Sequence, residues 1–234
     1  MSNNNVKHIK IDHLLTFQPL TNAQQTAYEA WSKGDNLVLD GSAGTGKTFV
    51  ALYKALEVAL NRSTIPDRVV ILRSTVPCRN MGFLPGTEEE KLDPYIEPYR
   101  AICRELFDHS TAYDVLESVG RIEFHSTSFL RGITFGDAVV ICDEIQNMTG
   151  EELDTCFTRF GNNTRFILCG DYEQSDLKGK DKQGIIDFLK IMSLINNTTT
   201  VSFGIHDIVR GPLVRDYLVC KKMLRENGEI RAEW

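Results

Sequence analysis

Short apolar runs and longer amphipathic stretches alternate along the chain. The runs 37–40, 69–72, 121–125, 139–143, 166–170 and 199–203 are rich in Val, Ile, Leu, Phe and Thr. Several are apolar at consecutive positions, the pattern of parallel strands covered on both faces, whereas a half-exposed strand alternates. Between them, 22–32, 47–60, 88–107, 151–160, 184–194 and 213–227 place apolar residues at helical spacing. Strands and helices in this alternation predict an α/β fold with a doubly wound parallel sheet flanked by helices. No internal repeat or low-complexity linker interrupts it, and the ends 1–10 and 228–234 read as mobile.

Composition narrows the class without changing the fold. The 234 residues are 42% hydrophobic and 25% charged, an ordinary globular mixture at a length suited to one domain with short additions. No apolar run approaches the ~18–20 residues that span a bilayer. The start, MSNNNVKHIK, lacks the apolar centre of a signal peptide. A soluble protein of the cytoplasm, without membrane partners, is therefore expected. The six cysteines include no CxxC pair, and Cys142 and Cys169 lie in apolar runs that suit buried, reduced thiols. Twenty-six basic against 32 acidic side chains give −6, which excludes a broad phosphate-coating surface but leaves room for a local basic groove.

The chemistry starts directly after the first strand. GSAGTGKT, residues 41–48, satisfies G-x-x-x-x-G-K-[ST] at every fixed position. Gly41, Gly44 and Gly46 let the backbone turn tightly around phosphate oxygens, with Ser42, Ala43 and Thr45 supplying the intervening amides. Lys47 is placed to reach the β- and γ-phosphates, the Thr48 hydroxyl to ligate Mg²⁺, and Phe49 continues the helix whose positive end faces the anion. Val139-Val140-Ile141-Cys142 then ends in Asp143-Glu144. Asp143 is expected in the metal shell and Glu144 as the base acting on the attacking water, which favours hydrolysis over transfer to an acceptor. A third strand runs into GDYEQ, where Gln174 is placed to contact the γ-phosphate or the water. MGFLPGTEEEK (81–91) reads as a Pro-Gly turn followed by a Thr87–Glu90 capping box.

The set LTNAQ (20–24), GSAGTGKT, DEIQ (143–146) and GDYEQ (170–174) resembles the first motor domain of superfamily one helicases. That resemblance implies that Gln24 reads the adenine edge. With GFLPGTEEEK (82–91), RGITF (131–135), DEIQNMT (143–149), TRFG (158–161), GDYEQSDL (170–177) and DIVR (207–210), the chain looks like a short, stand-alone or phage-type member of the PhoH family, the phosphate-starvation-associated ATPases. It implies a single P-loop NTPase motor domain with a RecA-like sheet, in which the sensor strand lies between the loop strand and the DE strand. It also implies ATP and Mg²⁺ as cofactors and a role on RNA or single-stranded nucleic acid.

On this reading residues 1–16 are an N-terminal extension, 17–227 the ATPase domain and 228–234 a tail. The part after Asp176 is shorter than the roughly 100–150 residues of an ordinary second domain. An arginine that stabilises charge on the transferring phosphoryl group is thus expected from a neighbouring subunit in a homo-oligomeric ring, a hexamer by resemblance to RecA-like motors. Arg159 and Arg210 are the candidates. Arg73, Ser74, Thr75, Thr127, Ser128 and Arg131 follow strand ends where helicase motor domains touch the nucleic-acid backbone, although such residues also cap helices or pair with carboxylates. Phe17 is read either as a ring stacked on adenine or as an apolar staple. The competing reading is an ATPase switch that assembles protein partners without nucleic acid.

Overall fold

The computed structural model describes residues 9–61, 65–75, 88–172 and 179–230. Six strands, β1 (Asn36–Gly41), β2 (Arg68–Arg73), β3 (Ile122–Ser126), β4 (Ala138–Asp143), β5 (Arg165–Gly170) and β6 (Thr198–Phe203), form one sheet in the order β3-β2-β4-β5-β1-β6. Every pairing in it is parallel. All six expected strands are present, each end within one residue of its expected place. The sensor strand β5 lies between β1 and β4, as the resemblance implied.

Two-residue periodicity divides the sheet between two cores. Leu37, Leu39, Val69, Ile71, Val139 and Ile141 face one side, where they meet α1 (Asn22–Ser32), α2 (Lys47–Ala59), α3 (Glu88–Phe107) and α4 (Ala112–Ser118). Val38, Val70, Leu72, Val140, Cys142 and Leu168 face the other, against α5 (Gly150–Phe157) and α6 (Lys180–Met192). α7 (Pro212–Glu226) follows the last strand. The central strands are apolar at successive positions because both faces are covered. α2 buries almost its full circumference between the sheet and its neighbouring helices.

The helices depart from expectation in ways that packing explains. α4 has no counterpart among the expected helices: its seven residues are too few for a periodic signal, and it is held by buried Ala112, Tyr113 and Leu116. α5 is started by Thr149, whose hydroxyl accepts from Glu152 N while the Glu152 carboxylate accepts from Thr149 N. It stops at Phe157, short of 160, and Phe160 pairs in parallel with Phe135. α6 starts at Lys180, ahead of Gly184. That glycine is a close-packing point, since a Cβ on it would lie 3.0 Å from the Cα of Gly150. α3 runs through Pro94 and Pro98, each of which lacks the N–H for a helical bond.

Residues 9–16, expected as an extension, pack onto the domain. Ile9 is buried, and Leu15 N donates to Leu106 O at 2.9 Å. Among the described residues, no helix is long and apolar enough to cross a membrane. Gln174 and the turn ahead of α3, with its Thr87 cap, lie outside the described residues.

Candidate nucleotide-binding site

Parallel strands direct their carboxyl ends to one edge, where ligands of such sheets bind. The register aligns the functional ends there: Arg73 pairs with Asp143, Asp40 with Gly170, and Gly41 with Phe203. Against this edge lies a cavity of about 730 Å³, lined by the loop residues Ala43, Gly44, Gly46, Lys47, Thr48 and Phe49. Its remaining lining includes Gln24, Asp143, Glu144 and Arg210.

Sequence dictates the loop's shape. Gly41 has φ 136°, and a Cβ there would sit 2.0 Å from the Phe203 carbonyl oxygen, so only glycine lets β1 turn out beside β6. Gly46, at φ 83°, caps α2 in the left-handed region. Internal bonds hold the rest: Thr45 Oγ1 donates to Ser42 O at 2.9 Å, Ser42 N to Phe203 O at 3.2 Å, and Val209 N to Gly44 O at 3.0 Å. Gly41, Ser42 and Thr45 thus brace the loop while the other five expected loop residues, with Phe49, face the cavity. Lys47 Nζ donates to the carbonyls of Gly41 (2.5 Å) and Ser42 (2.9 Å), which keeps the ammonium at the loop mouth.

Opposite the loop, Asp143 is only 3% exposed. Its Oδ1 accepts from Thr48 Oγ1 at 3.0 Å and its Oδ2 from Tyr99 Oη at 2.8 Å. Burial, and next the charge of Glu144, raise the Asp143 pKa, while the two hydroxyls and Arg73 oppose that rise. Burial alone would lower the Arg73 pKa, but Tyr99, Asp143 and Glu144 turn the balance upward and keep it cationic. Thr48 and Asp143 form a pair of hard oxygen donors, which fits Mg²⁺, an ion that takes one or two protein oxygens and fills its shell with phosphate and water.

Glu144 has φ 55°, a left-handed conformation that costs a non-glycine residue about 1–3 kcal/mol and recurs at active sites. The turn ends β4 at Asp143. Its carboxylate accepts from Gln146 Nε2, and Gln146 Oε1 accepts from Asp171 N at 3.1 Å. Gln146, quoted in DEIQ without a role, thus ties the acid to the end of the sensor strand. Glu144 precedes a short 3-10 turn, Ile145–Asn147, without a side-chain bond to its amides, and α5 is capped by Thr149, so neither acid caps a helix with its side chain.

At the other end of the cavity, Gln24 Nε2 donates to Thr45 O at 3.0 Å and its Oε1 accepts from Leu20 N at 2.8 Å. Phe17 and Tyr28 line the same end, and Phe17 meets the Phe49 ring edge-on at 5.1 Å. Phe17 packs against Phe49 and Tyr53, as the staple reading expects, and it also lines the cavity. Arg210 lies in the chain's own cavity, its Cγ 3.0 Å from the position of a Cβ on Gly44. Arg159 is elsewhere. Its carbonyl accepts from Phe135 N ahead of β4, at the opposite edge of the sheet.

The strand-end hydroxyls are divided. Ser74 (3.3 Å) and Thr127 (2.6 Å) both donate to Glu152 Oε1, and Thr75 bonds Ser126 at 2.6 Å, so these side chains brace the fold. Ser128 and Arg131 are exposed, with Phe129 between them 58% exposed. Sequence reasoning missed Tyr99, Tyr28 and the inward placement of Arg73, because each reaches the site only through tertiary packing.

Comparison with known proteins identifies the family. A family profile described as PhoH-like protein matches residues 16–220. The chain is 32% identical over 202 residues to a PhoH-like protein of Mycobacterium leprae, covering 86% of this chain and 57% of that one. It is 35% identical over 175 residues to Protein PhoH of Escherichia coli, covering 74% and 49%. The chain thus spans about half the length of these relatives. Among solved structures, the large terminase of a thermophilic bacteriophage shares the fold at TM-score 0.52 and 14% identity, covering 86% of this chain and 50% of that chain. With a P-loop after β1, Asp143-Glu144 at the end of β4 and β5 between those strands, the chain belongs to the PhoH family.

Proposed function

We propose that the chain is a Mg²⁺-dependent ATPase that hydrolyses ATP to ADP and phosphate and couples this to binding or remodelling of RNA or single-stranded nucleic acid. The observation that carries the reading is the contact between Thr48 and Asp143 at the mouth of the phosphate loop, two donors 95 residues apart meeting at 3.0 Å. Lys47 exchanges its two loop carbonyls for phosphate oxygens. Thr48 and Asp143 would hold Mg²⁺, which would supply positive charge against the phosphates. Glu144, steered by Gln146, takes the proton of the attacking water. Gln24, Phe17 and Tyr28 receive the base. Arg210, already at the loop, supplies the charge on the transferring group within the same chain, so a neighbouring subunit's arginine is not needed for that step.

The nucleic-acid arm rests on the exposed residues Ser128, Phe129 and Arg131 after β3, an aromatic ring and a cation close in sequence at the same carboxyl-end edge of the sheet as the cavity. A protein-directed ATPase is the second reading. It is favoured by α7, which exposes Leu213 (83%), Tyr217 (57%) and Met223 (57%) and so offers an apolar surface for self-association in a ring or for another protein. Turnover measured with and without poly-U RNA and single-stranded DNA separates the two. Stimulation with salt-sensitive binding supports the first, and unchanged turnover without binding leaves the second.

A further inference from the structure

Asp143 is held from two sides, and only one belongs to the phosphate loop. Thr48, at the start of α2, donates to Oδ1, while Tyr99, from the middle of α3, donates to Oδ2 at 2.8 Å. Tyr99 is fully buried, with its ring 5.9 Å from that of Phe124. One helical turn earlier, Tyr95 Oη donates to Thr75 O at 3.1 Å just beyond β2, and the Arg73 guanidinium lies 5.8 Å from the Tyr95 ring. α3 is therefore fastened to the site at two points one turn apart. Pro98 beside Tyr99, and Ala101, Ile102 and Glu105 on the following turns, line the cavity wall.

We propose that Tyr99 is a positioning residue for the metal-holding carboxylate, fixing Asp143 Oδ2 so that Oδ1 is presented beside Thr48 to the Mg²⁺ of a bound nucleotide. A carboxylate on the end of a strand can rotate about its terminal torsion, which is broad. A donor on each oxygen selects one orientation, and partners of this kind are worth roughly 10–100-fold in metal affinity where they have been removed. Nothing else described in the structure bonds Oδ2. The proposal rests on the reading of Thr48 and Asp143 as the Mg²⁺ donors, and it adds α3 as a structural part of that site.

The test is Tyr99→Phe, which keeps the buried ring and removes only the hydroxyl. Tyr113→Phe, on α4 and likewise buried, is the packing control. Affinity for a non-hydrolysable ATP analogue is measured by calorimetry across a Mg²⁺ series, alongside thermal unfolding. Tyr99→Phe is expected to raise the half-point Mg²⁺ concentration about tenfold or more, with analogue affinity in EDTA unchanged and the Tyr113→Phe half-point at the wild-type value. A Tyr99→Phe half-point within twofold of wild type overturns the proposal, whatever happens to melting, and so does an equal shift in both variants. A wild-type chain whose binding ignores Mg²⁺ altogether defeats the ATPase reading instead.

Discussion

The two walls of the nucleotide cavity are built differently. One is a continuous stretch from Gly41 to Phe49, shaped by glycines and closed by bonds among its own residues and to Phe203 and Val209. The other is assembled from Arg73 on β2, Glu105 on α3, Asp143 at the end of β4 with Glu144 just beyond it, and Arg210 ahead of α7, with Tyr99 of α3 buried behind Asp143. The loop wall needs little more than β1 and the start of α2. The assembled wall exists only when the register of β2 against β4 and the docking of α3 are both correct. Substitutions in the two walls should therefore differ in kind: the first abolishes phosphate binding, while the second leaves binding and disturbs metal placement and turnover.

The sharpest way to break that contrast is Arg210→Ala. With Arg210 acting inside its own cavity, turnover should fall about 10³-fold, the lower range for loss of such an arginine, while nucleotide affinity changes little. Mixing Arg210→Ala chains with Glu144→Gln chains should restore nothing, because each chain lacks part of its own site. Recovery in the mixture would move the arginine to a neighbouring subunit and leave the assembled wall incomplete in one chain. Arg159→Ala, at the far edge of the sheet, should turn over normally in the same assay.

A smaller effect is expected beyond the cavity. The double change Phe129→Ala with Arg131→Ala should weaken poly-U binding at fixed salt by roughly 10–100-fold, since stacking of one base is worth about 1–3 kcal/mol. Basal turnover should be unaffected. Retained affinity would place the strand elsewhere, and Ser74 and Thr127 are poor alternatives because both are bound to Glu152.

How much of this is legible in sequence follows the same division. The phosphate loop, the Asp-Glu pair and all six strands are readable because each is a local pattern: fixed spacing, or a run apolar on both faces. Helix ends are less so. Gly184 reads as a helix start in one dimension but is a contact with Gly150 in three. α4 is too short to show a period, and Pro94 and Pro98 argue locally against a helix that tertiary contacts nevertheless stabilise. Tyr99 carries no signal, because nothing in PYIEPYR announces a hydroxyl that will meet an aspartate 44 residues on.

The smallest expected effects concern the cysteines packed behind the site. Burial pushes the Cys103 thiol from 9.0 up to about 12, the hydrogen bond with Cys156 and then burial lift Cys142, and burial lifts Cys169 as well. These thiols should resist a thiol reagent at pH 8 while exposed Cys220 reacts promptly. The folded chain keeps the Cys103 proton that the unfolded chain gives up, so its contribution to stability is full below about pH 9 and declines as pH rises toward 12. Fast labelling of Cys103 at pH 8 would mean that α3 is not docked, and the assembled wall would fail with it.

The central claim is that Asp143 and Glu144 complete a hydrolytic site against the phosphate loop. Release of free phosphate from Mg-ATP by wild type and by Glu144→Gln, with nucleotide binding measured on the same samples, tests it directly. Steady release by wild type is predicted, with a fall of about 10²-fold or more in the variant while the variant still binds ATP. Equal phosphate release by the two proteins would contradict it.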